Sequence, residues 1–298
     1  MNLDYPEGRG RVGIVAAGIS IEGVSIAGQE SFYKLPGFHA LLELGRAPDD
    51  VVSYATICLT HGHLDHAAGL AHHASRRKLA GLPPARVFVP EEPMRDFEAW
   101  LSACERLEDV RYGLNLVPAA PGDHVRLRND LELTILPGRH RVPTVGYLFS
   151  EIRQELKDEF AGRPGNEIAA LRGQGVEVTR REEIPLLAYP GDCGTAIFDA
   201  APELYTAKVL LLECSFLLPE DRDRAVVYEH LHLDDIVARA GLFRNEAVIL
   251  THFSARYRPS EIREALHAIP EPLASRVVPF LPPLETGTAT LDSAARPS

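Results

Sequence analysis

Thr60-His61-Gly62-His63-Leu64-Asp65-His66 puts four metal-ligand side chains into six consecutive positions, between strand-like Tyr54–Leu59 and a helix-like run that starts near Ala67. Val51, Val52, Ala55, Ile57 and Leu59 read as a buried strand, and a strand end is where the backbone is free to turn and aim side chains at one point. His61 and His63 lie two apart, so in extended backbone they project to the same side and can chelate one ion. Asp65 and His66 follow as the turn enters the helix, and they face a slightly different point. Two neighbouring ions fit this spacing better than one. Imidazole nitrogens with a few carboxylate oxygens suit zinc best, and manganese or iron also accepts that set.

Two ions need more ligands than one loop supplies, so isolated His or Asp residues are expected at other strand ends. His140 follows strand-like Leu131–Leu136 and a Pro137-Gly138 turn. Asp192 follows Leu186–Tyr189 within Pro190-Gly191-Asp192-Cys193-Gly194, where glycine lets the backbone approach an ion closely. His252 ends the apolar run Ala247–Leu250. Any one of these alone reads equally as a turn or capping residue. Together with the first cluster, ligation is the stronger reading.

Thr60–His66 resembles the histidine motif of the metallo-β-lactamase superfamily. His140-Arg141-Val142-Pro143-Thr144-Val145-Gly146-Tyr147, Pro190-Gly191-Asp192, Glu213-Cys214-Ser215 and the run Leu250–Tyr257 resemble ribonuclease Z, the tRNA 3′-processing endonuclease, in its short plant-like form. Ile21–Glu30 and Pro164–Ile168 add to a likeness that runs from about residue 13 to residue 280. The resemblance implies an α/β fold, the four-layer αββα sandwich. It implies two zinc ions per chain, one held by His61, His63 and His140, the other by Asp65, His66 and His252, with Asp192 bridging. A carboxylate has two oxygens that can serve two ions, whereas a neutral imidazole does not. It also implies precursor tRNA as substrate, His230 as proton donor with Glu213 holding its tautomer, and a homodimer in which one subunit's arm binds the tRNA cut by the other. The interval Ser150–Pro185 is short for that arm, and its Phe160–Gly175 stretch resembles the compact version.

Two zinc ions roughly 3.5–4 Å apart acidify a water between them and stabilise charge on phosphoryl or acyl oxygens, so the class of activity is hydrolysis. Asp65 is placed to ligate and also to orient the attacking water. The leaving alkoxide then needs a proton, and Glu213, after Val209–Leu212, with His230, in Tyr228-Glu229-His230-Leu231-His232, offers a carboxylate–imidazole pair. His232 reads either as the cap of the next helix or as a substrate contact. The alternative activity on this fold is small-molecule hydrolysis, by a glyoxalase II-like thioesterase or a cyclic-nucleotide phosphodiesterase. A purely structural metal site is the weakest reading, because such sites are closed and thiolate-rich.

Composition sets the outer limits. At 298 residues and 45% hydrophobic content the chain can bury one large core, read as a single domain over residues 1–280 with an arm-like insertion at about 151–185 and a loose tail at 281–298. The four cysteines show no CxxC spacing and read as reduced thiols. No basic-then-apolar leader and no membrane-length run is visible, so a cytoplasmic protein with no membrane contact is expected. The net charge of −11 argues against general polyanion binding. Phosphate contacts must then come from a local rim of arginines, with Arg139, Arg141, Arg256, Arg258 and the run Arg76-Arg77-Lys78 as candidates.

Overall fold

The computed structural model describes residues 8–283. Most of the expected tail, and the first residues of the chain, lie outside that range. Two seven-stranded sheets carry the structure. The first runs in chain order through β1 (Val12–Ala16), β2 (Ile19–Ile26), β3 (Glu30–Leu35), β4 (Ala40–Leu42), β5 (Thr56–Cys58), β6 (Arg86–Pro90) and β7 (Asn115–Ala119). The second contains β8 (His124–Arg128), β9 (Leu131–Pro137), β10 (Val145–Leu156), β11 (Thr179–Tyr189), β12 (Val209–Glu213), β13 (Ala247–Thr251) and β14 (Val277–Pro279), also in chain order. Strands β1 to β4 are antiparallel and β4 to β7 parallel. Likewise β8 to β11 are antiparallel and β11 to β14 parallel. The two halves thus repeat one topology, although no sequence repeat is visible by eye.

Alternation along the strands explains the layering. In β12, Val209 and Leu211 enter the cluster between the sheets, with Tyr33, Tyr147 and Phe149, while Leu210 and Leu212 enter an outer cluster with Phe198, Ile236 and Phe243. Ala247 and Ile249 of β13 face inward in the same way, and Val248 and Leu250 face outward. Both faces are covered, so these strands read as unbroken apolar runs. A third cluster packs Leu70, Ala74, Phe97 and Leu101 of two helices, Leu70–Leu79 and Met94–Glu108, on the outer face of the first sheet. The order is helix, sheet, sheet, helix, the αββα sandwich.

Several boundaries differ from expectation. The strand read over Tyr54–Leu59 is only Thr56–Cys58, because Pro48 starts a 3-10 turn over Asp49–Val51 that occupies the preceding apolar residues. The helix read from near Ala67 begins inside the histidine motif, at Leu64, breaks after Ala67 and resumes at Leu70. Strands β2, β3 and β8 are masked in the sequence by polar residues, and β8 is an edge strand with alternating exposed positions. Strands β10 and β11 pair out to Leu156 and Thr179, and the short helix Gly165–Gly173 lies in the connection between them. All four cysteines are free. Among the described residues no helix is long and apolar enough to cross a membrane.

Candidate metal centre

The predicted ligands and Glu213 sit at the carboxyl ends of strands or in the turns that follow them, whereas His230 follows the helix Arg222–Tyr228. His61 and His63 follow β5, His140 follows β9, Asp192 follows β11, Glu213 closes β12 and His252 follows β13. Parallel strands open their carboxyl ends on one edge, where loops can converge. Close packing then fixes those loops. Gly191, at φ +70°, lies so near β5 that a Cβ would come within 2.6 Å of Thr60 Oγ1. At Gly45 a Cβ would lie 2.0 Å from the Asp65 carbonyl oxygen, so only glycine lets this loop support the Asp65–His66 turn. Gly45→Ala is expected to destabilise the protein by about 1–3 kcal/mol through overpacking against backbone. That corresponds to a fall in Tm of roughly 2–12 °C for a chain of this size. Unchanged thermal unfolding would show that the loop yields freely.

Among the described residues the side chains form four overlapping groups, two of which match the expected ion sites. His61, His63, His140 and Asp192 offer donor atoms that all lie within 4.8 Å of one another, and Asp65, His66 and His252 do the same. Asp192 stands between them, its Oδ2 3.8 Å from His61 Nε2 and 3.4 Å from each of His66 Nε2 and His252 Nε2. All seven residues singled out as ligands are therefore brought to one place.

Hydrogen bonds outside the cluster set the imidazole tautomers. The Thr60 hydroxyl donates to buried Glu43 and so accepts from His61 Nδ1, 2.9 Å away. The Ser215 hydroxyl donates to Glu213 Oε2 at 2.6 Å and accepts from His252 Nδ1 at 2.8 Å. His140 Nδ1 donates to the Glu229 carbonyl at 3.0 Å. In each case Nδ1 carries the proton and Nε2 turns a lone pair inward, the arrangement that carboxylate partners impose on metal-binding histidines. Glu43 (φ +59°) and His252 (φ +57°) occupy left-handed backbone, which costs on the order of 1–3 kcal/mol each and is tolerated where surrounding contacts hold it. The His252 amide, for example, donates to Ser25 Oγ at 2.9 Å.

Two observations test whether cations fit. His140 Nε2 is buried and has no hydrogen-bond partner. His66 Nε2 and His252 Nε2 lie 3.2 Å apart, close enough to share either a proton or a cation. The surrounding carboxylates favour positive charge there. Burial disfavours the His66 imidazolium, but Asp192 and Glu43 outweigh it and hold its pKa well above the ordinary value. Burial, with His66 beside it, pushes His61 well below. Burial also opposes ionisation of Asp192, yet His252 and His66 keep it ionised well below the usual carboxylate range. The donor set fits divalent cations, and nitrogen with carboxylate oxygen suits zinc.

Glu213 and His230 adjoin this cluster. Glu213 is buried, and its Oε1 accepts from His230 Nδ1 at 2.7 Å and from the Cys193 amide at 2.8 Å. Burial lowers the His230 pKa, but Glu213 and Asp192 more than compensate and raise it to about 9. With Nδ1 engaged, Nε2 is the nitrogen left for the cleft of about 890 Å³ that His230 lines with His140, Arg139, Arg141 and Arg222.

Other expectations divide. His232 is a cap: its Nδ1 accepts from the Asp234 amide at 3.1 Å, its Nε2 donates to the Leu218 carbonyl, and it is 1% exposed. The arginine rim shrinks, because Arg77 is buried and bonded to the Val52, Tyr54 and Pro83 carbonyls, while Arg76 pairs with Asp49 and Arg256 with Asp221. Sequence reasoning misses Glu43, although a carboxylate directly after apolar Ala40–Leu42 carries the same signature as Asp192 and Glu213.

The family model for the beta-lactamase superfamily domain matches residues 35–253. The fold is shared with the short form of human tRNase Z, with a TM-score of 0.50 at 17% identity over 85% of this chain and 90% of that one. In sequence the chain is 33% identical over 265 residues to tRNase Z TRZ1 of Arabidopsis thaliana, covering 87% of this chain and 94% of that protein. It is 32% identical over 274 residues to the chloroplastic tRNase Z TRZ2 of the same plant, covering 91% and 77%. The chain belongs to the tRNase Z family of the beta-lactamase superfamily.

Proposed function

We propose that this protein is a zinc-dependent endonuclease that hydrolyses the phosphodiester joining precursor tRNA to its 3′ trailer. The observation that carries this reading is the placement of the Glu213–His230 pair against a cluster of five imidazoles and two carboxylates, with His140 and His230 lining a cleft that also holds Arg139 and Arg141. His61, His63, His140 and Asp192 would hold one ion, and Asp65, His66, His252 and the same Asp192 the other. When bound there, the ions acidify the attacking water and offset charge on the phosphoryl oxygens.

The chain's own groups do the rest. Asp65 Oδ2 is pinned by the Gly28 amide at 2.8 Å, which fixes the carboxylate that orients the water. Arg139 and Arg141 line the cleft and present guanidinium groups to flanking phosphates. His230 Nε2 delivers the proton that the departing ribose oxygen requires, and Glu213 keeps that imidazole charged and aimed. Domain organisation follows the same reading, one catalytic unit with the β10–β11 hairpin as its RNA-holding arm and two subunits paired across the substrate.

The test is incubation of zinc-loaded protein with a precursor tRNA bearing a 3′ trailer, with the cut mapped to the nucleotide. A single cut at the trailer junction, weakening steeply as salt is raised, is expected from phosphate contacts. Turnover of S-lactoylglutathione without RNA cleavage would instead assign the small-molecule chemistry.

A further inference from the structure

Beside the histidine motif lies a further cavity, of about 380 Å³, lined in part by Gly62, His63 and Leu64. Its walls are apolar and aromatic. The Phe97 ring packs against the backbone at Gly62, with Phe97 Cζ 3.6 Å from where a Gly62 Cβ would stand. Trp100, one helical turn further on, contributes a partly exposed indole whose centroid is 6.4 Å from that of Phe97. Leu64, inside the metal motif itself, is 72% exposed at this site and adds nothing to the core. Apolar surface left open beside a reaction centre is surface a ligand can cover.

Two features say what covers it. Val142 and Pro143 line both this cavity and the arginine cleft, His63 lines the cavity and His140 the cleft, so the two depressions adjoin each other beside the candidate metal centre. They differ in the cations they offer. The cleft holds Arg139 and Arg141, with Arg222 paired to Asp235 and Glu91, Glu92 and Glu229 also on its walls, whereas the cavity holds the carboxylate Asp96 and no lysine or arginine. Guanidinium groups that can take a phosphate are thus confined to the first side. A flat, uncharged ring with amino groups at its edge suits the second, stacking on the indole and donating to Asp96.

We propose that this cavity is a base-binding subsite, in which Trp100 stacks on an unpaired nucleobase of the substrate next to the phosphodiester being cut. The proposal rests on the endonuclease reading and deepens it, by making Trp100 and Asp96 the residues that select for a base and for its exocyclic amino group. Strands that lack a base at that position lose the contact while keeping their phosphates on the cleft side.

The chain contains one tryptophan, so the indole reports directly on its own occupancy. Zinc-loaded protein, excited at the red edge of indole absorption, is titrated with adenosine 5′-monophosphate and, separately, with ribose 5-phosphate. Saturable quenching by the nucleotide and none by the sugar phosphate is expected, with uridine 5′-monophosphate weaker than both adenosine and cytidine 5′-monophosphates. Equal quenching by nucleotide and sugar phosphate, or none by either, overturns the subsite. Trp100→Ala should raise KM for precursor tRNA by about 5- to 150-fold, the range that losing one base–aromatic stack produces. Its zinc content and far-UV circular dichroism should match the parent's, and Trp100→Phe should recover most of the loss. A Trp100→Ala KM within twofold of the parent's also overturns the subsite. If the parent protein fails to cut precursor tRNA, the endonuclease reading falls, and the nucleotide titration still decides the cavity by itself.

Discussion

Asp192→Asn is expected to cost at least about 10³-fold in turnover and to lower the bound metal, measured by elemental analysis after gel filtration. Asp192 is 2% exposed and its Oδ2 lies 3.4–3.8 Å from imidazole nitrogens of both donor groups. Asparagine keeps the volume and hydrogen-bonding reach of the side chain but removes the charge and one acceptor. The cost is set by the chemistry: cation charge aimed at phosphoryl oxygens is worth several kcal/mol in the transition state, and each 1.36 kcal/mol is tenfold in rate. A second readout separates ligation from a structural role. Added zinc should raise the parent's Tm, because an ion that binds only the folded state stabilises it by mass action. It should raise the variant's Tm far less. Full metal content and full zinc-induced stabilisation in Asp192→Asn would remove this carboxylate from the centre.

The candidate site is more legible in sequence than the strands that carry it. His61, His63, His140, Asp192 and His252 stand out because a polar ligand type directly after an apolar run has little to do there except reach toward something at the strand end. That logic depends only on where a strand ends. Strand extents depend on partners that a linear reading does not show. Val51 packs into the outer helical layer from a 3-10 turn that Val52 caps, not from a strand, and a buried apolar side chain looks the same in either conformation. Strands β2 and β3 carry buried Ser25, Glu30 and Ser31. Those polar residues break the alternation, and the role of Ser25 exists only in three dimensions, where it accepts from Tyr33 and from the His252 amide 227 positions away. The hydroxyl relays escape for the same reason. Thr60 and Ser215 sit beside the ligands and the proton-donor pair in the chain, yet nothing in the chain order shows that each joins a carboxylate to an imidazole. The likeness of the two halves is likewise a property of pairing pattern, invisible at the level of residue identity.

His230→Ala is expected to lower cleavage of precursor tRNA by about 10²–10⁴-fold, the usual contribution of a positioned general acid, while leaving metal content unchanged. The leaving group decides the contrast. A ribose oxygen departs as a strongly basic alkoxide unless a proton reaches it, so the variant loses the step that the imidazole serves. A p-nitrophenolate departs readily without protonation, so bis(p-nitrophenyl) phosphate should be hydrolysed within about threefold of the parent rate if proton donation is the role of His230. Geometry offers one competing role, since His230 also lies within ligand distance of Asp192 and His252. Its Nδ1, however, is held by Glu213 at 2.7 Å, which leaves Nε2 as the nitrogen to serve the cleft that His230 lines. A ligand's removal would depress both substrates together and release metal; a proton donor's removal divides the substrates and keeps it. Glu213→Gln should show the same division more weakly and with a folding penalty. Its carboxylate accepts from the Cys193 and Ser215 amides, the Ser215 hydroxyl and the His230 ring, and an amide nitrogen at either oxygen position would confront one of those buried donors. Equal losses on RNA and on the p-nitrophenyl ester in His230→Ala, with metal retained, would leave this histidine without a part in proton transfer.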